Sequence, residues 1–132
     1  MTQELRTFLT FQGGAASAAL DLYAAVFADF ELLAIERYGA GEGGPEGTIK
    51  VARFRLAGSE LSCADSPIDH AWGFTPAVSM WIECDDAEEQ QRLFDQLSDG
   101  GQVFMPLDGY GFSTRFGWVG DAHGMTWQLN LA

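Results

Sequence analysis

The sequence predicts an α+β fold: a single domain over residues 1–132 made of two βαβββ modules, about 5–68 and 77–132. Their strands are expected to form a curved mixed sheet around a cleft, with the helices on the convex face. Three observations carry this prediction. First, residues 78–99 read as a strand, a helix start and an amphipathic helix, and an offset of 71 carries Thr7 onto Val78 and lays this pattern on TFLTFQGGAASAALDLYAAVF. Second, GSELSC from Gly58 falls on GMTWQL from Gly124 at an offset of 66, so the closing strands repeat as well. Third, one helix cannot cover the apolar face of four strands, and pairing two such modules is the natural solution.

The elements follow in order. Residues 6–12, rich in Thr and Phe, read as a strand that Gly13 and Gly14 end. Residues 15–28 read as a helix with Ala19, Tyr23, Val26 and Phe27 at helical spacing, and Gly14 as a modest N-cap. Residues 30–38 form a second strand, and GAGEGGPEG at 39–47 a loop. Its glycines do not suit a phosphate cradle, because a strand (48–56) follows rather than a helix and Glu42 and Glu46 would repel an anion. Ala57-Gly58 turns the chain into a strand at 60–66, and residues 67–76 connect the modules. In the second module a strand spans 78–84. Asp86 caps a helix whose first turn carries Glu88 and Glu89, where the dipole favours acids, and Gly100 stops it. Three more strands are expected at 102–105, 113–119 and 125–131, the last after the turn Gly120-Asp121-Ala122-His123-Gly124.

Nineteen acids against seven bases give a net charge of −12, which argues against nucleic acid and anionic membrane surfaces as partners. No apolar run approaches the ~18 residues of a membrane span, and the N-terminus lacks a basic-then-apolar leader. Cys63 and Cys84 each lie in an apolar strand, which suits buried free thiols in a reducing, cytoplasmic compartment.

Period-two alternation assigns the faces. Leu9, Phe11, Met80 and Ile82 should meet the helices, with Leu61, Cys63, Trp127 and Leu129. Phe8, Thr10, Glu60, Ser62, Ser79, Trp81, Glu83, Thr126 and Gln128 should face the cleft. Arg53 and Arg55 share that side, and Arg53 could hold a ligand carboxylate or phosphate, or pair with Glu60. The candidate ligand-binding residues are therefore Phe8, Arg53, Ser62, Ser79, Trp81 and Gln128. No residue is given a catalytic role, since Ser62 and Ser79 have no histidine placed to act as a base. Aromatic residues near Trp72, Phe74, Phe112 and Phe116 are expected to be exposed and compatible with an interface.

The strings TFLTFQGGAASAALDLYAAVF, Tyr38-Gly39, VSMWIECDDAEEQQRLFDQLSDGG and GWVGDAHGMTWQLN cover most of the chain. On them it resembles the vicinal-oxygen-chelate superfamily of glyoxalase I, the extradiol dioxygenases and the fosfomycin- and bleomycin-resistance proteins. Within that superfamily it is most similar to the PhnB-like, or demethylubiquinone methyltransferase-like, subgroup. The resemblance implies a glyoxalase-like domain and a homodimer. It also implies four inward positions where relatives hold a divalent ion with His, Gln or Glu. Those positions here are Phe8, Ser62, Ser79 and Gln128. A ring, two hydroxyls and an amide do not make a divalent-metal site. The expectation is a protein that binds an unidentified small molecule without a metal or other cofactor. The alternative is a metal-dependent lyase, isomerase or dioxygenase with a rearranged site drawn from Glu60, Glu83, His70 or His123. Nothing in the sequence suits S-adenosylmethionine, so the methyltransferase label implies no such chemistry.

Overall fold

The computed structural model describes residues 2–132. Their order is β1 (Thr7–Phe11), α1 (Ala16–Val26), β2 (Glu31–Arg37), β3 (Ile49–Leu56), β4 (Ser59–Asp65), β5 (Ser79–Glu83), α2 (Ala87–Ser98), β6 (Gln102–Asp108), β7 (Arg115–Gly120) and β8 (Thr126–Leu131). This is βαβββ twice. One compact unit runs to Ala71 and the other from Trp72 to Ala132. Strands pair within each unit, giving two four-stranded mixed sheets of order β1-β4-β3-β2 and β5-β8-β7-β6. In both, the first strand runs parallel to the last and the remaining pairs are antiparallel.

In the first unit α1 buries Ala19, Tyr23 and Val26 against the sheet, and the Tyr23 ring stacks on Phe54 at 6.4 Å. Leu9, Phe11, Ile49, Ala52, Leu61 and Cys63 complete this core. Its N-cap is Ala15, which makes no side-chain cap bond, and not Gly14. Asp65, at the end of β4, replaces a local cap: its carboxylate accepts from Ala16 N at 2.9 Å and from Ile49 N at 2.8 Å. The hairpin between β3 and β4 is a two-residue turn with Ala57 and Gly58 both at positive φ, as such turns require. Asp29 accepts from both of their N–H groups.

In the second unit α2 buries Leu93 and Leu97 against Trp127, Leu129 and Val119. Its start is as the sequence predicts, with Asp86 accepting from Glu89 N and Glu89 reaching back to Asp85 N. Gly117 on β7 lets α2 sit close, since a Cβ there would lie 2.7 Å from Leu107 Cδ2 and 3.0 Å from Phe94 Cδ2. Gln90 is fully buried on this helix and donates to the carbonyls of Arg115 and Leu129. Strand β6 runs to Asp108, beyond the predicted end at 105, and carries Pro106. It is an edge strand, where a residue without an N–H is tolerated.

Candidate functional site

Each sheet has one face under its helix and one face turned away from it. Phe54 stacks on α1, so alternation puts Arg53 and Arg55 on the far face of the first sheet. The register joins Phe8 to Ser62 and Ser62 to Arg53, so three predicted site residues form one row across β1, β4 and β3. Phe8 is 54% exposed, while Ser62 is buried between its neighbours. The adjacent row alternates in charge. Arg6 pairs with Glu60, and Arg55 opposite Glu60 reaches Glu31 at 2.8 Å. Arg53 Nη1 lies 3.5 Å from Glu60 Oε2, so the expected Arg53–Glu60 contact exists but is long, and Arg6 holds the same oxygen. Exposed pairs of this kind add little stability.

Gly117 faces α2, so Phe116 and Trp118 point to the far face of the second sheet. The register there joins Trp81 to Gln128, Gln128 to Trp118 and Trp118 to Met105. A parallel row runs Glu83, Asn130, Phe116, Asp108. Ser79 stands opposite Thr126, not Gln128. Its hydroxyl is 2.6 Å from Thr126 Oγ1 and accepts from Trp118 Nε1 at 3.2 Å, so it orients that indole. The two sequence offsets therefore do not hold at once. Matching Ser62 to Gln128 makes Trp81 the counterpart of Phe8, whereas matching Phe8 to Ser79 makes Thr126 the counterpart of Ser62.

The far face of the second sheet is rich in rings. Phe116 forms the floor, with Trp81 at 5.6 Å, Phe112 at 5.0 Å and Tyr110 at 6.1 Å between ring centroids. Phe116 is buried beneath these rings, which corrects the expectation that it is exposed; Phe112 and Trp72 are exposed as expected. Tyr110 is fixed by its hydroxyl, which donates to Pro106 O at 2.6 Å. Trp81 is 49% exposed, and its indole N–H donates to Glu83 Oε1 at 2.6 Å. Asn130 Nδ2 donates to both Glu83 oxygens, at 3.3 and 3.1 Å. Trp81 first and Asn130 second hold the Glu83 carboxyl below the usual carboxylate range. Sequence reasoning missed Tyr110, Phe116, Trp118 and Asn130 as members of this surface. The alternation of Phe116 and Trp118 against Gly117 and Val119 was the available signal.

Both histidines have local partners. His70 Nε2 is 2.8 Å from Ser66 Oγ, in the connection after β4. His123 donates its backbone N–H to Asp121 Oδ1 at 2.9 Å in the turn before β8. Asp121 is buried and also accepts from Trp127 Nε1 at 2.9 Å, so it is a structural turn residue. Glu60 serves the arginines and Glu83 serves Trp81 and Asn130. Among the described residues no three His, Cys, Asp or Glu side chains group as a metal site would require. The residues at the expected ion-holding positions do not fit a divalent metal either. Cys63 and Cys84 are buried free thiols, and burial pushes both up to about 12.

Comparisons with known proteins agree with this architecture. The family profile described as 3-demethylubiquinone-9 3-methyltransferase matches residues 3–130. A PhnB protein from Bacillus cereus carrying that same description is 42% identical, with a TM-score of 0.93 over 98% of this chain and 100% of its own. Protein PA1353 from Pseudomonas aeruginosa is 24% identical, with a TM-score of 0.83 over 98% of each chain. The fosfomycin resistance protein FosX from Listeria monocytogenes, in a complex with Mn(II) and a dihydroxypropylphosphonic acid, is 14% identical. It shares the fold at a TM-score of 0.65 over 98% of this chain and 93% of its own. Protein YjdN of Escherichia coli is 28% identical over 87 residues, 66% of this chain and only 58% of its own length.

Proposed function

Because the chain belongs to the 3-demethylubiquinone-9 3-methyltransferase family, the PhnB-like branch of the vicinal-oxygen-chelate superfamily, we propose that it binds a small organic molecule without a metal ion. The observation that carries this reading is the donor chemistry of the far sheet faces. At the positions where the resemblance implies ligating side chains, this chain has Phe8 and Ser62 in the first sheet and either Ser79 with Thr126 or Trp81 with Gln128 in the second. On the first sheet Phe8 leaves apolar ring surface in reach of a ligand, with Ser62 and Arg53 in its row for orientation; on the second sheet Trp81 does so, with Gln128 in its row. Aromatic lining with a few placed polar groups is the composition of small-molecule sites. The family description names a methyl transfer, but function lies in the site and not in the fold, and nothing in these rows is built for a methyl donor.

The working form is a homodimer, a reading that rests on the superfamily resemblance. Light scattering after size exclusion should then return about twice the 14.4 kDa of one chain. Thermal-shift screening of the metal-free protein against a broad metabolite panel tests the binding itself, because a ligand that binds only the folded state raises its midpoint. A panel without a single hit overturns the reading.

A further inference from the structure

We propose that the far face of the second sheet takes an organic cation, its apolar body on Trp81, Phe112 and Tyr110 and its positive nitrogen beside the Glu83 carboxylate. This rests on the small-molecule reading above and names the ligand's chemistry. The aromatic faces carry negative π density and attract a cation within about 6 Å of a ring centroid. Trp81 is half exposed and Phe112 is 60% exposed, so both rings offer surface. Glu83 lies next to the Trp81 indole and is fixed there by two donors, Trp81 Nε1 and Asn130 Nδ2.

The two indole donors on this face are already engaged. The Trp81 indole N–H goes to Glu83 and the Trp118 indole N–H goes to Ser79. Asn130 turns its amide nitrogen toward Glu83, which leaves its Oδ1 as a buried acceptor without a partner. A second acid, Asp108, ends the same row beyond Phe116. The unit that starts at Trp72 contains only two Lys or Arg residues, Arg92 and Arg115. Neither serves this face. Arg115 is tied at the helix side to Gln90 Oε1 at 2.7 Å and Ala87 O at 2.8 Å, and Arg92 bonds Gln96 along α2 at 3.2 Å. The surface therefore presents rings and carboxylates, which suits a cation and repels an anion. The first sheet differs, because its far face carries Arg6, Arg53 and Arg55 among its acids.

The test uses three probes that share one ring and differ in charge: phenyltrimethylammonium, benzamide and benzenesulfonate. Each is titrated into the full-length protein while the Trp81 indole N–H and the Asn130 side-chain amide are followed by two-dimensional NMR. The cation should bind at least about tenfold more tightly than benzamide, and benzenesulfonate more weakly than both. Glu83→Gln keeps an acceptor for Trp81 and should bring the cation and benzamide to within about twofold of each other. Trp81→Ala should weaken both, and Trp81→Phe should weaken them less. If benzamide matches the cation in the wild type, or Glu83→Gln leaves the ratio unchanged, the cation inference is overturned while the small-molecule reading stands. If no probe shifts either group at millimolar concentration, the cation inference is likewise overturned, and the small-molecule reading is decided by the metabolite panel.

Discussion

Replacing Asp65 with alanine should destabilise the first unit far more than removing any nearby surface acid. The carboxylate is 3% exposed and accepts from two backbone donors, Ala16 N at the start of α1 and Ile49 N at the start of β3. Ala16 and Ile49 are themselves fully buried. Each orphaned buried donor costs about 1–3 kcal/mol, and losing a negative charge from a helix N-terminus adds about 0.3–1 kcal/mol. A cavity of about 220 Å3 bordered by Gly13, Gly14, Asp65 and Ser66 lets water approach, so the lower part of the range applies. The expected loss is about 3 kcal/mol, a large share of the roughly 5–15 kcal/mol that holds a domain of this size. With a urea slope of about 1.5 kcal/mol per molar, the midpoint should fall by about 2 M. Far-UV circular dichroism reads the whole chain. Tryptophan fluorescence reads only the second unit, since Trp72, Trp81, Trp118 and Trp127 all lie there. Asp69→Ala, at the same cavity, is the control and should stay within about 0.5 kcal/mol of wild type. A dichroism midpoint for Asp65→Ala no lower than that of the control would refute the reasoning.

Three further outcomes are expected. Gln90→Leu strips the partners from the Arg115 and Leu129 carbonyls and from Arg115 Nε, and should cost about 2–3 kcal/mol in urea titrations followed by fluorescence. Gly117→Ala forces a methyl against Leu107 and Phe94 and should cost about 1–3 kcal/mol by overpacking, with the thermal midpoint as the readout. The thiols of Cys63 and Cys84 should resist Ellman's reagent at pH 8 until the chain unfolds. Because folding raises both toward about 12, their contribution is full below the unfolded value near 9 and is lost as pH rises from there toward 12. In that window stability should fall by about 1.4 kcal/mol per pH unit for each thiol.

Most of the fold was legible because its signals are local or repeated. The alternation of Leu9 and Phe11 and of Leu61 and Cys63 placed them on the buried face, where the structure has them. The acids at the start of α2 announced its cap, since Asp86 and Glu89 act within one turn. The start of α1 was not legible in the same way, because its cap comes from Asp65, brought in by the parallel pairing of β1 with β4. The end of β6 was lost for a related reason. Pro106 reads as a breaker, and only an edge position makes it acceptable. The candidate rows were half legible. Faces follow from period two, so Phe8, Ser62 and Arg53 share a row of the first sheet, and Trp81 and Gln128 share a row of the second. Register does not follow from it, and so Ser79 falls beside Thr126. The ring cluster was hidden because Tyr110 and Phe112 belong to the loop between β6 and β7, where no periodicity operates.

The most direct test strips the protein of metal with a chelator, confirms by elemental analysis that none remains, and measures the thermal midpoint against the metabolite panel. A ligand at a hundredfold excess over its dissociation constant adds about 2.7 kcal/mol, which should raise the midpoint by about 10 °C. The account predicts that rise in metal-free wild type, its loss in Trp81→Ala, and no further gain on adding Mn²⁺, Ni²⁺, Zn²⁺ or Fe²⁺. A rise that occurs only after one of those ions is restored would contradict it.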